Sequence, residues 1–357
     1  MEFGIVGLEL AGKTTLFSLL TGHSPAPGAA KREAHVGIAQ VPDPRLDRLS
    51  ALFRPRKHTP ATVRFVDVPG VTRGGSAGLN LPELRTMDGL AVMIRGFESQ
   101  VVPHPEGDVD PARDLELLET ELLLADLQVA ESRLERLARD LAKRRTPELE
   151  REQAAMEQCR RGLAAGTPLR DAGLTPDQQR LLKGFTFLTL KPMLVVLNTG
   201  EGAVADLEAA AAAAGLEPWQ DRSNVVVCAV CATLEEEISR LTGEEQETFL
   251  KDLGLPDRAL DRLLRAAYEL LGLRSFFTVG EDECRAWTIV AGTTAVRAAG
   301  VIHSDLERGF IRAEVVPCDD LLAAGSWAAC RTNATLRLEG RDYVVADGDV
   351  INVRFNV

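Results

Sequence analysis

Aromatic residues are scarce in this chain: 5% of 357 residues, with three tryptophans and two tyrosines, so its core must be built mainly from aliphatic side chains. Cysteine is also sparse, and six thiols in this length are too few for a disulfide framework; they are expected to stay reduced. Cys228-Ala-Val-Cys231 spells C-x-x-C, but it continues the apolar run Val225–Val227 and has no second pair, which argues against zinc or redox chemistry. No apolar run approaches the ~20 residues needed to span a bilayer, and no basic segment precedes the first apolar residues. No membrane partner is expected, and the chain reads as cytoplasmic. Positive charge is short too. Lys and Arg number 41 against 53 Asp and Glu, a formal charge of -12, which excludes broad adhesion to nucleic acid. No DNA partner is expected, and any RNA contact must be confined to local surfaces.

What is present begins at once. Phe3 to Val6 is a short apolar run, followed by Gly7, four residues, and Gly12-Lys13-Thr14-Thr15 opening an amphipathic segment. This is G-x-x-x-x-G-K-T between an expected strand and an expected helix, the context of a phosphate-binding loop. Glycines let successive backbone N–H groups turn inward on an anionic phosphate at a positive helix N-terminus. Backbone from Gly7 and Leu10 through Thr15, Ala11 included, would line the phosphates; Lys13 would reach the β/γ-phosphates, and Thr14 would offer its hydroxyl to Mg²⁺. About fifty residues on, the apolar strand Ala61–Val68 ends in Asp67-Val-Pro-Gly70, and a carboxylate placed there suits a Mg²⁺-bound water. The Gly-rich stretches 22–30 and 72–81 read as loops flanking the same triphosphate.

From Asp114 to Arg145 glycine and proline vanish, and Leu127, Ala130, Leu134, Leu137 and Leu141 repeat 3-4-3-4. Thr146-Pro147 interrupts, and Leu149, Met156 and Leu163 recur a heptad apart. An inserted antiparallel helical hairpin is expected; ordinary bundle helices are the competing reading. The strand Met193–Leu197 and a second strand at 225–230 restore the α/β pattern, and past Leu273 short strands and turns announce a small separate domain. The expected division is 1–112 and 185–273 for the nucleotide domain, 113–184 for the hairpin, and 274–357 for the C-terminal domain. Strands alternating with helices give an α/β fold with a mainly parallel sheet and its ligand at the strands' carboxyl ends.

Base choice is read from the late loops. GTPases generally use N-K-x-D, whose Asp accepts two hydrogen bonds from guanine. Here the segment is Asn198-Thr199-Gly200-Glu201, without the lysine and with a longer carboxylate. Adenine could be met by backbone groups near Asn198, Thr199, Cys231 and Ala232. ATP is favoured and GTP stays open. Many GTPases also place a Gln after the D-x-x-G turn to orient water, and that position is Val71. His104, in a loop after a strand of the sheet, is the candidate substitute; the bland alternative is a solvated loop histidine.

These residues resemble the YchF-type Obg-like ATPases, P-loop proteins with a C-terminal TGS domain. The resemblance rests on Gly7–Thr15, Val41-Pro-Asp-Pro-Arg-Leu46, Asp67-x-x-Gly70, Asp110-Pro-x-Arg-Asp114, Asn198-x-x-Glu201 and many C-terminal phrases, among them Arg285-Ala-Trp-Thr-Ile289, Glu307–Glu314, Asp347-Gly-Asp349 and Arg354–Val357. It implies a P-loop NTPase domain interrupted by a helical hairpin and followed by a TGS domain of β-grasp type. It further implies ATP preferred over GTP, slow hydrolysis linked to His104, and ribosome and RNA as partners through the TGS surface and the hairpin. Translational or stress regulation is the implied role. An ATP-sensing module with little hydrolysis and a GTPase switch are the alternatives. The chain departs from the family pattern at Glu9, where a proline is usual, at Leu10, where an asparagine linked to potassium binding is usual, and at Lys31, where a Mg²⁺-binding threonine is usual.

Overall fold

The computed structural model describes residues 1–23, 35–68 and 81–356. The expectations at Lys31, Gly70 and Val71, and most of those for the two Gly-rich loops, lie outside these residues. Along the chain the strands are β1 (Glu2–Gly7), β2 (His35–Val41), β3 (Lys57–Thr59), β4 (Ala61–Asp67), β5 (Gly89–Gly96), β6 (Met193–Thr199), β7 (Val225–Val230), β8 (Leu273–Val279), β9 (Glu283–Val290), β10 (Phe310–Pro317), β11 (Arg337–Glu339) and β12 (Asp349–Phe355). The helices that matter below are α1 (Lys13–Thr21), α2 (Pro44–Phe53), α3 (Leu81–Thr86), α4 (Pro111–Lys143) and α5 (Pro147–Ala164). The chain divides into two compact units, Met1–Ile38 with Arg64–Leu263, and Ala39–Val63 with Leu264–Val357.

The first unit is built on a sheet of order β2-β4-β1-β5-β6-β7. β1 pairs in parallel with β4 and β5, and β5–β6 and β6–β7 are parallel as well. Central parallel strands are covered on both faces, which is why β5 (GLAVMIRG) and β6 (MLVVLNT) read as continuous apolar runs instead of alternating. The phosphate loop leaves the carboxyl end of β1, with β4 and β5 as neighbours, so Asp67 at the end of β4 arrives beside it.

Three of these helix starts follow one device. Asp43-Pro44, Asp110-Pro111 and Thr146-Pro147 open α2, α4 and α5, and in each the residue before the proline accepts a hydrogen bond from a first-turn N–H: Arg45 at 3.0 Å, Arg113 at 3.1 Å and Leu149 at 3.4 Å. Proline at the first helical position loses no intrahelical bond, and its fixed φ suits the helix.

α4 and α5 form the expected antiparallel pair. Ala130 and Leu137 on α4 meet Ala155, Met156, Cys159 and Leu163 on α5, with Leu127, Leu134 and Leu149 packed alongside. Leu169, Leu174, Leu182 and Phe187 join the same cluster, so the pair carries a third layer of chain. The near end of α4 also holds three buried carboxylates, each with an arginine: Asp114 with Arg113, Glu119 with Arg170 and Arg222, and Asp126 with Arg85. Asp126 is fully buried and takes four donors, from Arg85, the Leu188 and Thr189 N–H groups, and the Thr189 hydroxyl.

The second unit has a mixed sheet of order β11-β10-β12-β8-β9-β3. β8–β9 and β10–β12 are antiparallel, and β12 pairs in parallel with β8. The helix Ala295–Ile302 lays Ala295, Ala298 and Ala299 on Phe276, Ile289, Phe310 and Val315 of this sheet, small residues letting the helix approach closely. Among the described residues no helix is long and apolar enough to cross a membrane.

Candidate nucleotide site

The loop from Gly7 to Gly12 turns tightly because its glycines permit it. Gly12 has φ +100°, and a Cβ there would lie 2.5 Å from Asn198 Nδ2. Gly7 runs so close to β5 that a Cβ would collide with the Met93 carbonyl oxygen. Only glycine fits either place.

Lys13, the first residue of α1, folds back on its own loop, donating from Nζ to the carbonyls of Gly7 at 3.1 Å and Leu8 at 2.8 Å. Burial lowers its pKa, against the pull of Asp67 and Glu9. Thr14 Oγ1 donates to Asp67 Oδ2 at 2.9 Å. Burial raises the pKa of Asp67, opposed by the Thr14 hydrogen bond and by the charges of Lys13 and His35. A hydroxyl and a carboxylate side by side are hard oxygen donors, the set Mg²⁺ uses together with phosphate oxygens and water, so the residues present fit that ion. A raised carboxyl pKa means that the folded state favours the proton, so ionised Asp67 costs stability above that value and the cost disappears as pH falls through it. Asp67→Asn is therefore expected to raise the urea midpoint at neutral pH while abolishing magnesium-dependent nucleotide affinity. A lowered midpoint would sink this assignment.

Asn198 joins the two ends of the site. Its Nδ2 donates to Ala11 O at 3.1 Å, and its Oδ1 accepts from the Ala232 N–H at 3.1 Å, tying the phosphate loop to the start of the helix Ala232–Ser239. Thr199 is buried and donates to Val230 O at 3.3 Å, so its side chain braces β6 on β7. Cys231 is also buried, its Sγ 3.2 Å from the Thr233 hydroxyl, while Glu201 is exposed. The six cysteines are all free, and burial pushes the Cys228 thiol up to about 11, which leaves it protonated and unreactive. An open depression of about 620 Å³ lies between α1 and the helix Ala232–Ser239, lined by Thr14, Thr15, Ser18, Glu236 and Arg240.

Leu10 is half exposed with φ +64°, a left-handed conformation that a leucine adopts only at a cost. Asparagine tolerates it. Leu10→Asn is expected to stabilise the protein by about 1 kcal/mol in urea unfolding. An unchanged midpoint would remove strain from the account of this loop.

His104 stands apart from this cluster. Its side chain is 2% exposed, its Nε2 lies 2.9 Å from Asp114 Oδ2, and its Nδ1 accepts the Glu106 N–H at 3.2 Å. The reading of a solvated loop histidine is corrected: the ring is buried because a carboxylate on α4 receives it. Two residues around it were not read as functional groups, the buried Arg95 near the end of β5 and Asp114, which the sequence showed only as the last residue of Asp110-Pro-x-Arg-Asp114. Arg95 closes an otherwise apolar strand, and an arginine in such a run was the available signal.

The C-terminal residues 273–356 match the family model YchF-GTPase_C, described as a protein of unknown function (DUF933). Over 362 residues the chain is 41% identical to the "Ribosome-binding ATPase YchF" of Bacillus subtilis, with 99% of each chain covered. It is 37% identical over 369 residues to the protein of the same name from Escherichia coli O157:H7, again with 99% of each covered. Among solved structures, the Schizosaccharomyces pombe YchF GTPase superposes with a TM-score of 0.87 at 30% identity, covering 99% of this chain and 97% of that one.

Proposed function

The chain belongs to the YchF family, and from that premise we propose that it is an ATP-hydrolysing P-loop protein that acts on ribosomes. One observation carries the reading. Asn198 straps the phosphate loop to Ala232, so the Asn-x-x-Glu segment starts beside that loop, which supports reading it as the base-recognition segment. With threonine at position 199 turned inward on Val230, no lysine packs on that base and guanine's usual partner set is missing. The relatives' names divide here, ATPase for the bacterial proteins and GTPase for the yeast structure. The chemistry of this segment favours adenine.

In turnover Lys13 leaves the Gly7 and Leu8 carbonyls for the β/γ-phosphates, and the α1 N-terminus faces the same anion. Thr14 and Asp67 would hold Mg²⁺, which when bound neutralises phosphate charge. Phosphoryl transfer needs positioning more than covalent chemistry, and His104 is the group assigned to the attacking water. Turnover is slow, and cytoplasmic residence, a TGS-type C-terminal unit that meets RNA, and regulation of translation or stress belong to the same proposal. A second reading, an ATP sensor with little hydrolysis, draws on the engagement of both His104 ring nitrogens.

Calorimetry with MgATP and MgGTP, followed by phosphate release with and without purified ribosomes, separates these. ATP is expected to bind at least tenfold tighter than GTP, and ribosomes are expected to accelerate release. GTP bound tenfold tighter would overturn the base assignment. Tight ATP binding without release in either condition would leave the sensor standing.

A further inference from the structure

The ring of His104 has no nitrogen to spare. Because Nδ1 accepts the Glu106 N–H, the ring proton sits on Nε2, and Nε2 donates it to Asp114. A ring so buried can neither touch a nucleotide nor align a water. The backbone of the same loop is held from the other side by Arg95. Its guanidinium, 2% exposed, sends Nε to Phe97 O at 3.0 Å, Nη2 to Val102 O at 2.8 Å and Nη1 to Pro103 O at 3.5 Å, and it lies 4.5 Å from the Phe97 ring centroid. A buried guanidinium whose hydrogen bonds run to loop carbonyls fixes the shape of that loop. Asp114 is itself 1% exposed in the first turn of α4, and its other oxygen takes Arg113 Nε at 3.1 Å and Nη2 at 2.7 Å. The helix that runs out along the hairpin therefore carries, at its root, the group that grips His104.

We infer that the His104–Asp114 contact is an autoinhibitory latch: Asp114 withholds His104 from the nucleotide, and displacement of the root of α4 releases it. This rests on the reading of His104 as the water-positioning group. Resting turnover is then slow because the released ring is the minor member of a two-state equilibrium, and a hairpin partner that moves α4 shifts that equilibrium. Asp114 acts through His104 and is a positioning residue.

Asp114→Asn keeps the shape of the contact and weakens its charge-assisted hydrogen bond. Ribosome-free phosphate release is expected to rise roughly tenfold, the shift produced by losing one such bond, with MgATP affinity unchanged. Adding His104→Ala to that variant should return the rate to the wild-type resting level or below. Should Asp114→Asn fail to fold, Arg95→Met unties the loop without touching α4 and should raise the resting rate in the same direction. A resting rate at or below wild type in the folded variant overturns the latch, and so does a rise that survives His104→Ala. In the otherwise natural chain, His104→Ala should depress ribosome-stimulated release. If it does not, the hydrolytic role of His104 falls; if it does while Asp114→Asn stays slow, only the latch falls.

Discussion

Lys13→Ala is expected to weaken MgATP binding at least a hundredfold and to abolish phosphate release, while leaving the urea midpoint nearly where it was. The two halves of that expectation have different causes. A lysine ammonium on phosphate oxygens makes charge-assisted hydrogen bonds worth about 1.5–3 kcal/mol each, and two of them account for the affinity. In the free protein the same group donates to the Gly7 and Leu8 carbonyls, but its burial disfavours its charge, so the contacts and the desolvation offset one another. Calorimetry with MgATP alongside urea unfolding reads both. Affinity within threefold of wild type would take Lys13 out of the site, and a collapse in stability would make its role structural.

Asn198→Ala should be the most destabilising single change in the site. Asn198 is 5% exposed, Ala11 1% and Ala232 4%, so removal of the amide strands a carbonyl oxygen and an N–H away from water. Each orphaned group costs about 1–3 kcal/mol, about 2–6 together, against a total stability of about 5–15 kcal/mol for a typical domain. Asn198→Asp divides the effect, since a carboxylate still accepts from Ala232 but cannot donate to Ala11. It is expected to unfold at an intermediate urea concentration, and both variants should regain stability in excess MgATP if they retain binding, because the ligand selects the folded state. Equal midpoints for the two would mean that the Ala232 bond contributes nothing.

The phosphate loop, Asp67 and Asn198 were legible in the sequence because each lies in a short motif whose spacing reflects local backbone geometry: strand, turn, helix start. The parallel sheet was legible for the same reason, in apolar runs too long and too uniform for a half-exposed strand. What stayed hidden depends on contacts between distant segments. Glu119 meets Arg222 across 103 positions and Asp126 meets Thr189 across 63, and no periodicity encodes such pairs. The heptad on α4 forecast a partner helix, but not the third layer at residues 169–187, because Leu169, Leu174, Leu182 and Phe187 share no common period. His104 read as a loop histidine since its partner sits on the next element. The grouping of residues 39–63 with the C-terminal unit had no local signature either.

α4 is one unbroken helix of 33 residues with no internal glycine or proline, about 50 Å long at the usual rise. Its three buried carboxylates, Asp114, Glu119 and Asp126, lie in the first half, gripped by Arg113, Arg170, Arg222 and Arg85. Such a rod is a lever with its fulcrum inside the nucleotide-binding unit. A tilt of about 5° displaces the far end by about 4 Å over that length, whereas the same tilt moves a root residue by only a few tenths of an ångström. Arg85 belongs to α3, the first described helix after residues 69–80, and grips this fulcrum through Asp126 and the Ala125 carbonyl. Leverage thus runs in one direction: a displacement of a few ångströms at the tip becomes a few tenths of an ångström at the carboxylates that anchor the helix.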